Sequence, residues 1–175
     1  LPLVPDGERQ SLASLASRHP RLVVIRSLTK LFGIAGLRLG YAIAEPQRLQ
    51  RWSVWRDPWP VNGLAAAAGE VLMADAAWTR RVQTWLATER PWLVGELVRR
   101  GWQVSPSSAN FLLVRRGHSL ETWRQKLEQK HHILVRDCRS FEGLDERWWR
   151  LALLDRRRNR RLLRALDQVQ ATDRA

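Results

Sequence analysis

A chain of 175 residues that is 45% apolar and 27% charged has the balance of a globular protein, with enough core-forming residues for one domain and part of a second. No apolar run approaches the roughly 20 residues a membrane-spanning helix needs, and the first residues do not read as a secretory signal. The formal charge of +13 keeps a polyanion partner in view, while the single cysteine, Cys138, excludes an internal disulfide and fits a reducing, cytoplasmic setting.

After LPLVPDG, the segment SLASLASRHP (Ser11 to Pro20) reads as the end of a short helix. RLVVIRS then reads as a buried strand, because its apolar residues run on instead of alternating, and LGYAIA (Leu39 to Ala44) reads as a second. Pro46 opens a helix through QRLQRWSVW, and DPWP (Asp57 to Pro60) ends it. Gly63 to Ala77 is alanine-rich and helical, with Asn62 either its cap or a pocket residue. From Trp78 a long amphipathic helix carries Val82, Trp85 and Leu86 on its apolar side and runs to a cap at Gly101. Pro91 predicts a kink or a restart within it.

The remainder changes rhythm. GWQVSPSSANFLLVRR holds two short strands, and SLETWRQKLEQK is a helix with Leu120, Trp123 and Leu127 inward. HILVRDC and RWWRLALL are strands. The closing helix puts Leu162, Leu163, Leu166 and Val169 on one face and its arginines on the other. The fold class is α/β. Residues 1–62 read as the C-terminal part of a larger α/β domain, 63–100 as connecting helices and 101–175 as a small α+β domain.

The basic run DRRRNRRLLRALDQV reads foremost as a solvated helix face, and the ten tryptophans as core and interface residues. Nucleic-acid binding, by arginines with stacking tryptophans, is the lesser reading. His131 and His132 lack ligand spacing to any acidic or thiol group, so no metal is expected. Cys138 reads as a small buried residue and Tyr41 as a packing residue.

The chemistry sits in RSLTKLFGIAGLRLGY. A lysine just past a buried strand is partly desolvated, which frees its amine for a Schiff base with an aldehyde. Hydroxyls at Ser27 and Thr29 flank Lys30, and glycines let the chain return to Arg38. Two hydroxyls and a guanidinium suit a phosphate, and an aldehyde beside a phosphate points to pyridoxal 5′-phosphate. On spacing alone, a strand-end lysine reaching into solvent is the favoured reading.

That stretch resembles the lysine segment of the fold-type-I, class I/II aminotransferases, Ser/Thr-Leu-Ser/Thr-Lys-x-Phe-Gly-x-x-Gly-x-Arg-x-Gly. The match covers Ser27, Thr29, Lys30, Phe32, Gly33, Gly36, Arg38 and Gly40. The resemblance implies that Lys30 bonds the aldehyde of pyridoxal 5′-phosphate and that Ser27, Thr29 and Arg38 hold its phosphate. It implies the C-terminal part of that family's large domain, followed by its small α+β domain. Within the family, SSANFLLV, HILVRDC and WRLAL are similar to segments of the histidinol-phosphate aminotransferases and of the threonine-phosphate decarboxylases of cobalamin biosynthesis. This implies Asn110, Arg136 and Arg150 as substrate-binding residues. RDPWPVNGLAAAA resembles the decarboxylase group.

The expected reaction is therefore decarboxylation of L-threonine O-3-phosphate to aminopropanol phosphate. Transamination of histidinol phosphate is the alternative, and a non-catalytic basic interaction or nucleic-acid-binding module is the alternative of another class. A homodimer is implied for the parent enzyme. Since the chain opens at Leu1 and its only methionine is Met73, it reads as a fragment. The family's ring-pairing aspartate and stacking aromatic have no counterpart in it, so the chain alone is expected to be inactive.

Overall fold

The structure, a computed structural model, describes residues 3–4 and 6–174. Leu1, Pro2 and Pro5 of the opening LPLVPDG lie outside the described residues. Residues 1–84 and 85–175 form two compact units, and the division falls inside one long helix.

In the first unit a single helical turn, α1 (Ala13–Ala16), precedes the antiparallel hairpin of β1 (Val24–Ser27) and β2 (Gly40–Ile43). The helix expected from Ser11 to Pro20 is thus only one turn long. The two strands are not buried as their apolar runs predict. In β1 half-buried Val24 and Arg26 alternate with exposed residues, and Ile25 is 81% exposed. A two-stranded ribbon needs an element on each face to bury both sets of side chains, and no described residue of this unit covers the Ile25 face.

Arg26, on the opposite face, is held by a two-pronged pair to Glu8, both contacts 2.7 Å, and by Ser11 Oγ. Helix α2 (Pro46–Ser53) begins at its proline, whose absent N–H would be unpaired there anyway. Helix α3 (Gly63–Ala74) is capped by Asn62, whose Oδ1 accepts from the Ala65 N–H at 2.9 Å. It stops at Asp75, earlier than Ala77. Asp75 Oδ1 accepts from the Trp78 N–H at 2.8 Å and so starts a new helix, α4 (Ala76–Arg99).

Helix α4 passes through Pro91 without the restart that residue suggests. Leu86, Leu93 and Leu97, all fully buried, anchor the turns on either side, and this outweighs the one backbone bond a proline removes. Gly101, at φ 78°, then ends the helix.

The second unit is a four-stranded antiparallel sheet in the order β3–β4–β6–β5, built from β3 (Gln103–Val104) and β4 (Phe111–Arg115) before helix α5 (Glu121–His131), and from β5 (Arg136–Asp137) and β6 (Trp148–Ala152) before helix α6 (Arg156–Arg174). Of HILVRDC only Arg136 and Asp137 pair as a strand. His132 turns left-handed (φ 51°) and the Ile133 N–H returns to the Leu127 carbonyl, so the segment closes α5 before it can extend.

The strands alternate strictly. Leu112 and Val114 of β4 and Trp149 and Leu151 of β6 are buried on one face. Trp149 packs 5.5 Å from Trp102, which meets Trp123 of α5 edge-on at 5.9 Å. Leu163, Leu166 and Val169 of α6 are buried as its period requires. Buried Glu89 is compensated by Arg156, whose Nε lies 2.9 and 3.0 Å from the two carboxylate oxygens while its guanidinium rests 3.9 Å over Trp92.

Candidate active site

The lysine segment is the loop of the β1–β2 hairpin. Ser27 pairs with Gly40, and one step further the Leu28 N–H donates to the Leu39 carbonyl at 3.1 Å. Thr29 and Arg38, nine positions apart, are therefore the first residues beyond one closed rung. Closure depends on Gly40: a Cβ there would stand 2.7 Å from the Arg26 carbonyl oxygen. Gly33, at φ 67°, supplies a turn within the loop that L side chains resist.

Ser27 Oγ and Thr29 Oγ1 share a hydrogen bond of 2.9 Å, and Lys30 Nζ donates to Thr29 Oγ1 over 3.4 Å. Thr29 is buried, whereas Ser27 and Lys30 are exposed. The partial desolvation expected for Lys30 is therefore not found, because no described element of this unit covers it. At the loop's other end Arg38 adopts the left-handed conformation, φ 53° and ψ 52°. For a residue with a side chain this costs about 1–2 kcal/mol, a strain that persists only where surrounding contacts impose it. Its Nη1 donates to the Ala35 carbonyl at 3.0 Å, which leaves the other donors of the fork open to a ligand. The Trp78 indole N–H holds the Leu31 carbonyl at 2.8 Å and so pins the chain next to Lys30.

This donor set fits the cofactor that the sequence implies. Two hydroxyls joined to each other and a guanidinium at the other end of the hairpin loop offer neutral and charged donors to phosphate oxygens, with a solvent-accessible amine alongside for an aldehyde. Among the described residues there is no group of three or more His, Cys, Asp or Glu side chains that could hold a metal ion.

The second unit brings Arg136 and Arg150 together. They are directly opposite on β5 and β6, so their side chains share the sheet face that is not the core. Both are exposed, and among the described residues neither has an acidic partner. Like charges directly opposite on a sheet are unfavourable unless an anion joins them. Arg150 lies 5.1 Å over the Phe111 ring; Arg136 lies 5.5 Å over Phe141 and donates to Ser140 Oγ at 2.9 Å. Asn110 stands just before β4, half-buried, its carbonyl accepting from the Leu153 N–H at 2.9 Å. Cys138, beside these arginines, is buried, and burial pushes its thiol up, consistent with an inert packing role.

Sequence reasoning missed Trp78, Ser140 and the two phenylalanine platforms. The period-2 pattern of ANFLLV places Phe111 on the face opposite Leu112, which was a usable signal. Nothing local in the sequence marks Trp78, because its partner carbonyl is 47 positions away.

The family model described as "Aminotransferase class I and II" matches residues 4–166. The chain is 39% identical over 154 residues to a threonine-phosphate decarboxylase of Salmonella typhimurium, covering 86% of this chain and 42% of that protein. It is 34% identical over 154 residues to a histidinol-phosphate aminotransferase of Symbiobacterium thermophilum, covering 87% of this chain and 42% of the relative. The chain thus spans less than half the length of these curated relatives. Among solved structures, a histidinol-phosphate aminotransferase from Clostridium acetobutylicum superposes with a TM-score of 0.85 at 30% identity, covering 94% of this chain and 50% of that one.

Proposed function

Because this chain belongs to the class I and II aminotransferase family, whose cofactor is pyridoxal 5′-phosphate, we propose that the protein it forms decarboxylates L-threonine O-3-phosphate to aminopropanol phosphate in the cytoplasm, for cobalamin biosynthesis. The observation that carries the choice of reaction is the 39% identity to a threonine-phosphate decarboxylase, against 34% to a histidinol-phosphate aminotransferase over an equal length.

When bound, the cofactor supplies an aldehyde for the lysine and a ring that withdraws electrons from the bond broken at the substrate Cα. In this reading Ser27, Thr29 and Arg38 hold the phosphate and fix the depth at which the ring sits. Lys30 anchors the aldehyde carbon and, once CO2 has left, returns a proton to the Cα. Arg136 and Arg150 bind the anionic groups of the substrate, and Asn110 is assigned to the substrate as well. The opposed guanidiniums suit a ligand with more than one negative charge. The working assembly is proposed to be a homodimer.

Transamination is the second reading, favoured by the 0.85 superposition on a histidinol-phosphate aminotransferase. It uses the same Lys30 to remove the Cα proton. The two separate on one experiment with the complete protein, cofactor and threonine phosphate. Aminopropanol phosphate formed without any keto acid supports decarboxylation; glutamate formed only when 2-oxoglutarate is present would overturn it.

A further inference from the structure

Asn62 lies outside the lysine segment, yet its side chain makes two bonds of different kinds. Oδ1 caps α3 through the Ala65 N–H, while Nδ2 donates to the Leu37 carbonyl at 3.0 Å, 25 positions back in the chain. That carbonyl belongs to the peptide unit immediately before Arg38, the residue held left-handed at φ 53°. The Arg38 backbone is also restrained on either side: the Leu37 N–H bonds the Ile34 carbonyl, and the Leu39 carbonyl accepts from the Leu28 N–H in the rung that closes the hairpin. A left-handed arginine needs an external contact to fix the rotation of its preceding peptide, and Asn62 provides one.

We propose that Asn62 is a positioning residue for cofactor binding: by holding the Leu37 carbonyl it keeps Arg38 in the left-handed conformation that presents its guanidinium to a phosphate. This rests on the reading of Arg38 as a phosphate holder. Asparagine suits both tasks because its acceptor and its donor are separate atoms of one short side chain, so Oδ1 can cap the helix while Nδ2 reaches the carbonyl. Aspartate and serine would cap α3 equally well and leave the carbonyl unheld. The functional consequence reaches the phosphate and not the aldehyde, since Lys30 is pinned from the opposite end of the loop by Trp78.

The test uses the complete protein and the variants Asn62→Ser, Asn62→Ala and Arg38→Ala. Each is titrated with pyridoxal phosphate and with pyridoxal, which lacks the phosphate. Exchange of the Leu28 and Leu37 amides is followed without cofactor. Asn62→Ser keeps the cap and loses only the bond to the Leu37 carbonyl, so its melting temperature should fall less than that of Asn62→Ala, which loses both. Both should reduce the preference for pyridoxal phosphate over pyridoxal by about fivefold, the factor carried by one ordinary hydrogen bond, and both should speed the two amides. If Arg38→Ala leaves that preference unchanged, the phosphate reading itself is wrong. If Arg38→Ala abolishes the preference while Asn62→Ser alters neither it nor the amide exchange, Asn62 is only a helix cap and the proposal fails.

Discussion

Replacing Gly40 by alanine is expected to force the hairpin mouth open. The new Cβ would stand 2.7 Å from the Arg26 carbonyl oxygen, well inside the 3.4 Å at which ordinary contact begins. That oxygen belongs to the backbone of the paired strand, so it cannot swing aside as a side-chain tip would. Overpacking of this kind costs about 1–3 kcal/mol, and in a chain of this size each kcal/mol lowers the unfolding midpoint by about 2–4 °C. Gly36 is the matched control, since a Cβ there meets no atom within 4 Å and its change should stay within about 0.5 kcal/mol. Thermal unfolding, with exchange of the Leu28 amide as the local readout, compares the two. Equal midpoints and equal Leu28 exchange for Gly40→Ala and Gly36→Ala would refute the claim that a close backbone approach holds Ser27 against the Arg38 end of the loop.

Trp78→Phe removes the donor to the Leu31 carbonyl while keeping most of the ring. A loss of about 1 kcal/mol is expected, with slower reaction of Lys30 toward pyridoxal and pyridoxal phosphate alike; a selective loss for the phosphate form would count against the assignment. Added inorganic phosphate should raise the melting temperature of the wild type more than that of Arg150→Gln, because Arg150 and Arg136 face one another without an acidic partner; identical shifts would place the anion elsewhere. The hydrogen-bonded Arg26 guanidinium holds the Glu8 carboxyl down, from 4.5 to about 2. Since the folded value is the lower one, the pair's contribution is complete above pH 4.5 and disappears as pH falls through about 2. Glu8→Gln should therefore flatten the acid end of the stability profile, and an unchanged slope would show that the pair does not form in solution.

The small sheet was legible because its information is local. Strict alternation in FLLVR and WWRLA set which residues are buried, and the 3.6-residue period of the last helix set its inner face. Lys30, Ser27, Thr29 and Arg38 were legible for a different reason: they lie in one glycine-punctuated segment, and a hairpin closed at Ser27 and Gly40 brings its two ends together. The exposure of Ile25 and Lys30 was not legible, because a run of apolar residues states that a strand can be buried and not what covers it. The Asn62–Leu37 and Trp78–Leu31 bonds were illegible as well. They join side chains to backbone carbonyls, which every residue carries, so no residue type at the accepting end betrays them. The end of HILVRDC as a strand was lost to a left-handed His132, a conformation uncommon enough for any residue with a side chain that propensity does not foresee it.

The central claim is that Lys30 is the residue that bonds pyridoxal phosphate, and reductive trapping tests it most directly. The complete protein is mixed with the cofactor, reduced with borohydride, digested and mapped by mass spectrometry, with Lys30→Ala in parallel. The account predicts a phosphopyridoxyl group on the peptide containing Lys30, absent from the variant. Labelling confined to Lys126 or Lys130, or no labelling of Lys30 at cofactor concentrations that saturate the protein, would contradict it.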